Sequence, residues 1–159
     1  MELLKRKNTR LKGYDYSQNG AYFITICTQD RRHLFSEIVG ANCVRQALTD
    51  IGRIVENEIN ILSNTYDDVV VEKYVIMPNH IHMIILISAE SWRTQFAPTV
   101  SRIIKQFKGS ITKQIGYTIW QKSFHDHVIR NETDYQKIWQ YINENPQKWE
   151  NDKYYSVTD

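Results

Sequence analysis

Apolar residues follow a strand-like pattern in four parts of the chain. Ala21–Thr28 (AYFITICT) is rich in aromatic and β-branched residues, which predicts a first strand. Val69–Met77 and Ile81–Ile87 predict two more strands, joined into a hairpin by the turn signal Pro78-Asn79. The second of these is almost entirely apolar, so we expect it to be central and covered on both faces. Phe124–Arg130 predicts a further strand.

Three other segments have the three-to-four-residue apolar spacing that is typical of amphipathic helices. The first runs from Cys43 to about Leu62, with residues 37–42 as a connection before it. The second follows a loop at residues 88–98, and its apolar positions are Val100, Ile103, Ile104, Phe107, Ile111 and Ile115. The third begins near Thr133, which forms a possible capping box with Gln136, and ends by Pro146 because the residue before proline avoids helical geometry. Its predicted buried face is Tyr135, Ile138, Trp139 and Ile142.

The resulting order is strand, helix, strand, strand, helix, strand, helix. This order predicts an α+β fold in which helices pack on an antiparallel β-sheet, of ferredoxin-like or RRM-like character. The 159 residues fit one domain, with residues 1–13 as a basic N-terminal arm and residues 150–159 as a short C-terminal tail. No apolar run approaches the ~20 residues of a membrane span, and no apolar segment follows the basic N-terminus as in a secretory signal. We therefore expect a cytoplasmic protein without a membrane partner.

The basic residues are unevenly distributed, although the formal net charge is only +2. Five of them lie in the first dozen residues, and others follow helical spacing after residue 100. Such clusters attract phosphate, although a solvated tail and a solvated helix face give the same pattern. The candidate phosphate contacts are Arg10, Lys12, Arg102, Lys105 and Lys108.

His80 and His82 form a candidate metal site at the start of the third strand. Side chains at positions i and i+2 of a strand point to the same face, so the two imidazoles project together. Two such nitrogens can bind one divalent metal ion. The alternative is a pair of hydrogen-bonded core histidines without a metal.

Tyr141 and Asn145 are four residues apart on the last helix and lie on one line of its surface. That line runs beside Ile138, on the shoulder of the buried face. A tyrosine can attack a phosphodiester but needs a base or an acidic metal, because its phenol has a pKa near 10. The amide oxygen of Asn145 is a suitable ligand for a hard cation. The alternative is that Tyr141 covers the core and Asn145 ends the helix.

The combination of these motifs resembles a known family. The stretch Tyr74–Ile87 (YVIMPNHIHMIILI) resembles the HUH signature strand of the single-tyrosine transposases, which serve small insertion sequences and include the REP-associated tyrosine transposases. Arg10–Thr28 and Ile119–Trp149 resemble the beginning and the end of the REP-associated branch. The resemblance therefore covers nearly the whole chain, in the expected order.

The resemblance implies a role for each candidate residue. His80 and His82 correspond to the paired metal ligands and Tyr141 to the nucleophile. Asn145 falls where the insertion-sequence branch has a glutamine that completes the metal shell, although asparagine has the shorter reach. The implied cofactor is Mg²⁺ or Mn²⁺.

The implied activity is that of a metal-dependent endonuclease and strand transferase, acting on single-stranded DNA near hairpins through a 5′-phosphotyrosine intermediate. Family members occur as monomers and as dimers that share active sites. A homodimer is therefore one expected assembly, and Tyr141 serves either its own site or that of a partner.

Three alternatives stay open at this point. A domesticated relative would bind hairpin DNA without cutting it. An RRM-like RNA-binding protein would have exposed aromatic residues on its central strands, where this chain has Met83 to Leu86 and no RNP consensus. A hydrolase that uses Asp126 with the histidine pair would turn over by water, without a covalent adduct.

Overall fold

The computed structural model describes residues 20–40, 45–88 and 99–157. The elements in these ranges are β1 (Gly20–Cys27), β2 (Ser36–Val39), β3 (Arg45–Leu48), α1 (Asp50–Thr65), β4 (Val69–Ile76), β5 (His80–Ile87), α2 (Val100–Ile115), β6 (His125–Ile129) and α3 (Glu132–Glu144). Strands β4, β5, β1 and β6 form an antiparallel sheet in that order, and β2 pairs with β3 in a separate hairpin. The predicted α+β fold with helices on an antiparallel sheet is confirmed. Among the described residues, no helix is both long enough and apolar enough to cross a bilayer.

The four-stranded sheet separates two hydrophobic cores, and β5 supplies side chains to both. On one face, Ile81, Met83, Ile85 and Ile87 join the α1/α2 core, which contains the buried residues of helices α1 and α2. On the other face, Ile84 joins the α3 core, which contains Ile138 and Ile142. Because side chains alternate along a strand, His80 and His82 lie on the α3 face together with Ile84.

Local sequence signals fix both ends of α2 and the start of α1. The hydroxyls of Thr49 and Thr99 accept hydrogen bonds from the first turns of α1 and α2, as N-caps do. Gly116 ends α2 in the left-handed conformation, with φ of 92°. In the first turn of α1, a Cβ at Gly52 would overlap the carbonyl oxygen of Phe35, so only glycine lets this helix approach the segment before β2 so closely.

Three sequence-based boundaries are wrong. Residues 45–48 form strand β3 instead of the first turn of a helix, because pairing with β2 outweighs the helical propensity of the sequence RQAL. Residues 36–39 form that partner strand, whereas the sequence pattern predicts a connection for most of them. The N-cap of α3 is Asn131 instead of Thr133, since its side chain accepts a hydrogen bond from the Asp134 amide at 2.8 Å. Cys43 lies outside the described residues.

Candidate active site on the α3 face of the sheet

The two histidines lie side by side on β5. Both are fully buried, and their ring centroids are 4.5 Å apart. The antiparallel ladder holds their backbones opposite Cys27 and Thr25 of β1. The sheet therefore fixes the spacing of the two imidazoles.

A hydrogen bond to Asn79 fixes the tautomer of His80. The side chain of Asn79 donates through Nδ2 to the carbonyl oxygen of Tyr154 at 2.9 Å, which leaves its Oδ1 as an acceptor. His80 Nδ1 lies 2.8 Å from that oxygen and must carry the proton. The other ring nitrogen, Nε2, is then an unprotonated lone-pair donor, and it is buried without a hydrogen-bond partner among the described residues.

His82 is oriented in the same manner by Thr25. Its Nδ1 lies 2.8 Å from the Thr25 hydroxyl, and its Nε2 points to the hydroxyl of Tyr141 at 3.3 Å. Burial lowers the pKa of His80 to about 4. Burial and then the neighbouring charge of His80 hold the pKa of His82 well below its usual value. Both imidazoles are therefore neutral at physiological pH, which is the form that binds metals.

Tyr141 extends from α3 over His82. Its ring contacts the rings of His82 and Phe23, with centroids 5.1 and 6.1 Å away. Its hydroxyl donates to Asp152 Oδ2 at 2.9 Å. Burial, followed by the hydrogen bond and charge of Asp152, raises the pKa of the phenol. The residue is nevertheless 36% exposed.

Asn145 and Asp152 complete the group of candidate metal ligands beside the two histidines. Asn145 Nδ2 donates to Asp152 Oδ2 at 2.6 Å, and Asn145 Oδ1 is buried without a hydrogen-bond partner in the part of the chain that the structure describes. One ligand atom from each of His80, His82 and Asp152 lies within 4.8 Å of the others. Two neutral imidazole nitrogens, a carboxylate oxygen and an amide oxygen form a donor set that fits Mn²⁺ or Mg²⁺.

The segment after α3 supplies residues that sequence reasoning missed. Residues 150–157 belong to the predicted C-terminal tail, but they cross the site instead of leaving it. Besides Asp152, they place the ring of Tyr154 against His80 and His82, with centroid distances of 4.6 and 5.6 Å. Nothing in the spacing of this irregular segment indicated these contacts.

The structure does not bring the basic candidates that it describes to the histidines. Arg10 and Lys12 lie outside the described residues. Arg102 and Lys105 are exposed on α2, which packs on the opposite face of the sheet. Lys108 donates to the carbonyl oxygens of Gln121 and Ser123 at 2.8 and 2.9 Å, and thereby connects α2 to the loop before β6.

Asp126 is not placed to serve the histidine pair as a metal ligand. It pairs with Ile24, whose side chain belongs to the α1/α2 core, so the carboxylate projects from the face opposite the histidines. The carboxylate beside the imidazoles is Asp152. This arrangement contradicts the hydrolase site built on Asp126.

Comparison with known proteins identifies relatives over most of the chain. No model of a known protein family matches it. An uncharacterized protein of Haemophilus influenzae is 32% identical over 170 aligned positions, covering 94% of this chain and 93% of the relative. A putative REP-associated tyrosine transposase of the same organism is 27% identical, covering 84% of this chain and 74% of the relative.

Two solved structures share the fold. A REP-associated tyrosine transposase bound to a REP hairpin superposes with a TM-score of 0.65 and 24% identity, covering 88% of this chain and 74% of the other. A putative transposase from Deinococcus radiodurans gives a TM-score of 0.50 and 15% identity, covering 85% and 95%. Together with the sequence relatives and with the histidine pair facing a tyrosine of the last helix, these similarities support assignment of the chain to the single-tyrosine HUH transposase family.

Proposed function

We propose that this protein is a metal-dependent single-strand DNA endonuclease and strand transferase that forms a covalent bond to DNA through Tyr141. The main support is the 3.3 Å distance between the Tyr141 hydroxyl and His82 Nε2 within one chain. Hairpin-bearing single-stranded DNA is the proposed substrate, because a structural relative is described as bound to a REP hairpin.

The proposed cofactor is Mn²⁺ or Mg²⁺, held by His80, His82, Asn145 and Asp152. This assignment is supported by two of the three buried side-chain atoms that lack a hydrogen-bond partner among the described residues, His80 Nε2 and Asn145 Oδ1, because a cation would satisfy both. The third, Asp126 Oδ1, belongs to a residue on the opposite face of the sheet. The imidazoles favour Mn²⁺, whereas the oxygen ligands suit either ion. When bound, the ion supplies positive charge that stabilises the phosphate oxygens as the transition state forms.

In the proposed reaction, the Tyr141 oxygen attacks phosphorus, and the bond from phosphorus to the 3′-oxygen breaks. Asp152 accepts the hydrogen bond of the phenol and is placed to take its proton. The products are a 5′-phosphotyrosine and a 3′-hydroxyl, which takes up a proton from solvent. Attack by a 3′-hydroxyl reverses the step and returns a proton to Tyr141. No ATP is required, because the phosphotyrosine retains the energy of the phosphodiester.

Denaturing electrophoresis of the protein with labelled hairpin-bearing single-stranded DNA tests this proposal. With Mn²⁺ or Mg²⁺ we expect a covalent adduct that is lost in Tyr141→Phe, in His82→Ala and with a chelator. Tyr117→Phe, which alters a half-exposed tyrosine just beyond α2, is the matched control and should form the adduct. Binding without an adduct in either metal would instead support the domesticated hairpin-binding protein.

A further inference from the structure

A cavity of about 330 Å³ opens beside the candidate active site, between β1, β6 and residues 153–154. Its wall shares residues with the site. Thr25 borders the cavity and contacts His82, and Phe23 borders it and packs on both His82 and Tyr141. A ligand in this cavity would therefore lie next to the reacting tyrosine.

The wall combines aromatic rings with positive charge. His125 and His127 pair with Thr25 and Phe23, so all four side chains lie on the α3 face. His127 forms a hydrogen bond to Asp134 at 2.7 Å, and the Lys153 ammonium lies over the Tyr154 ring, which leaves Phe23 and the exposed His125 as the other rings of the cavity wall. Flat, partly exposed rings of this kind are the surfaces on which unpaired bases stack.

Two cations border the same cavity. The ammonium of Lys153 lies 4.9 Å from the centre of the Tyr154 ring, and the guanidinium of Arg31 donates to the Lys153 carbonyl oxygen at 3.4 Å. Asp126 also borders the cavity, but its pairing with Ile24 directs the carboxylate to the opposite face. The charged side chains on the α3 face of this wall are therefore basic.

The backbone that presents Arg31 is strained. Asp30 and Arg31 have φ values of 56° and 55°, in the left-handed region that favours glycine. The Arg31 carbonyl oxygen accepts hydrogen bonds from Asn79 and Ser156, which hold the turn in place. Strain that surrounding hydrogen bonds maintain is concentrated at binding and catalytic sites.

We propose that this cavity binds one unpaired nucleotide of the DNA strand next to the phosphate that Tyr141 attacks. The base lies against Phe23 and His125, and the adjoining phosphate faces Arg31 and Lys153. The cavity volume is at the lower end of the range for small-molecule sites, which suits one nucleotide. This inference rests on the proposed function and adds the path of the DNA, which passes over β6 at the edge of the sheet.

Fluorescence anisotropy with a scan of abasic sites tests this inference. The probe is a DNA hairpin with thymidine flanks in which one nucleotide at a time is replaced by an abasic site, and the protein carries Tyr141→Phe so that binding is measured without cleavage. We expect one flank position at which the abasic site weakens binding about tenfold, as the loss of one stacked base does. Adding His125→Ala, an exposed substitution, should remove most of that difference, and Phe23→Ala should do the same.

Matched variants control for general effects. Tyr117→Ala removes an exposed aromatic ring beyond α2, and the sensitivity to the abasic site should persist. Replacing the phosphate beside the sensitive position with a neutral methylphosphonate should have little further effect on binding by Arg31→Ala, because the cation that faces this phosphate is already absent. The same replacement should weaken binding by Arg53→Ala, a control that removes a cation on α1. If no flank position is sensitive, or if the sensitivity is unchanged in His125→Ala and Phe23→Ala, the inference is wrong.

The outcomes separate this inference from the proposed function. A covalent adduct in the unsubstituted protein, without any sensitive flank position, would overturn only the nucleotide site. A sensitive position that depends on His125, without an adduct in either metal, would overturn the cleavage activity and leave the nucleotide site supported.

Discussion

At the scale of single residues, Asp152 connects the parts of the candidate site. One carboxylate oxygen accepts hydrogen bonds from both Tyr141 and Asn145, and the group lies within 4.8 Å of ligand atoms on both histidines. A carboxylate that faces two neutral imidazoles is further stabilised by a cation. Asp152 is therefore expected to contribute both to metal binding and to the position of the phenol.

Asp152→Asn keeps the shape of the side chain and removes its charge. We expect the affinity for Mn²⁺, measured by isothermal titration calorimetry without DNA, to fall by about tenfold to 100-fold, the range typical when a group supporting a metal site is lost. Glu150→Gln removes the exposed carboxylate two residues earlier and should leave the affinity unchanged. Equal Mn²⁺ affinity in the Asp152 and Glu150 variants would show that Asp152 is not a ligand.

The sequence indicates some residues of this site and not others, for a physical reason. His80 and His82 follow the two-residue period of a strand, and Tyr141 and Asn145 follow the four-residue spacing of a helix, so regular backbone geometry projects them in known directions. Asp152 and Tyr154 lie after α3 in an irregular segment, where no period relates sequence position to direction. Their contacts depend on tertiary structure alone.

At the scale of elements, the approach of α1 to the segment before β2 depends on Gly52. Gly52→Ala places a methyl group against the Phe35 carbonyl oxygen, so backbone must move. We expect the free energy of unfolding to fall by about 3 kcal/mol, the upper part of the range for overpacking, in urea denaturation.

Gly109→Ala in α2 is the matched control. An added methyl group at this position meets nothing within 4 Å. The substitution should raise the free energy of unfolding by about 1 kcal/mol, because alanine is the better helix former. If both glycine variants changed stability equally, close packing at Gly52 would not be the cause.

The contact between α2 and the loop before β6 has a consequence for pH dependence. Burial lowers the pKa of Lys108 to about 8 in the folded protein, whereas an unfolded lysine titrates near 10.4. Between these values the unfolded chain binds more protons, so the contribution of this lysine to stability rises with pH. Because the side chain is partly exposed, we expect a rise of about 1 kcal/mol from pH 8 to about pH 10.

The measurement compares unfolding free energies of the unsubstituted protein and Lys108→Met across this pH range. The difference between the two should shift in favour of the unsubstituted protein as pH rises. Lys105→Met, on the exposed side of the same helix, removes a lysine that lacks the two carbonyl contacts and serves as the control. A difference that stays constant with pH, or shifts the other way, would contradict the buried environment of Lys108.

Prediction from the sequence succeeds for elements with long apolar periods and fails where pairing overrides propensity. Strands β1, β4 and β5 and helix α2 begin and end within one residue of their predicted bounds. The hairpin of β2 and β3 was missed because each strand has only four residues, and because RQAL suits a helix as well as a strand. Only the pairing of the two strands decides between these conformations.

At the scale of the whole molecule, one chain brings Tyr141 and the candidate metal ligands together. Tyr141 reaches His82 of its own subunit, so cleavage should occur in cis. A mixture of Tyr141→Phe and His82→Ala proteins should therefore form no adduct beyond that of either variant alone. Restored adduct in the mixture, in the electrophoresis assay described above, would show that the active site is shared between subunits.

The order of strands in the four-stranded sheet agrees with the order of elements along the chain: β4 and β5 form a hairpin, and crossovers that contain α1 and α2 connect β1 to β4 and β5 to β6. Sequence patterns therefore predict the architecture, but they do not predict which face of the sheet carries the site. That choice depends on whether β5 presents its even-numbered or odd-numbered residues to α3.

A shift of β5 by one residue in its pairing with β1 and β4 would exchange its even-numbered and odd-numbered side chains between the two faces of the sheet. Both imidazoles would enter the α1/α2 core, where they would lack hydrogen-bond partners. Ile81 and Met83 would face Tyr141 instead. The same error would thus remove the reactive groups and destabilise the fold. Under the proposed function, the fraction of molecules that form the covalent adduct therefore also measures the fraction that has folded correctly.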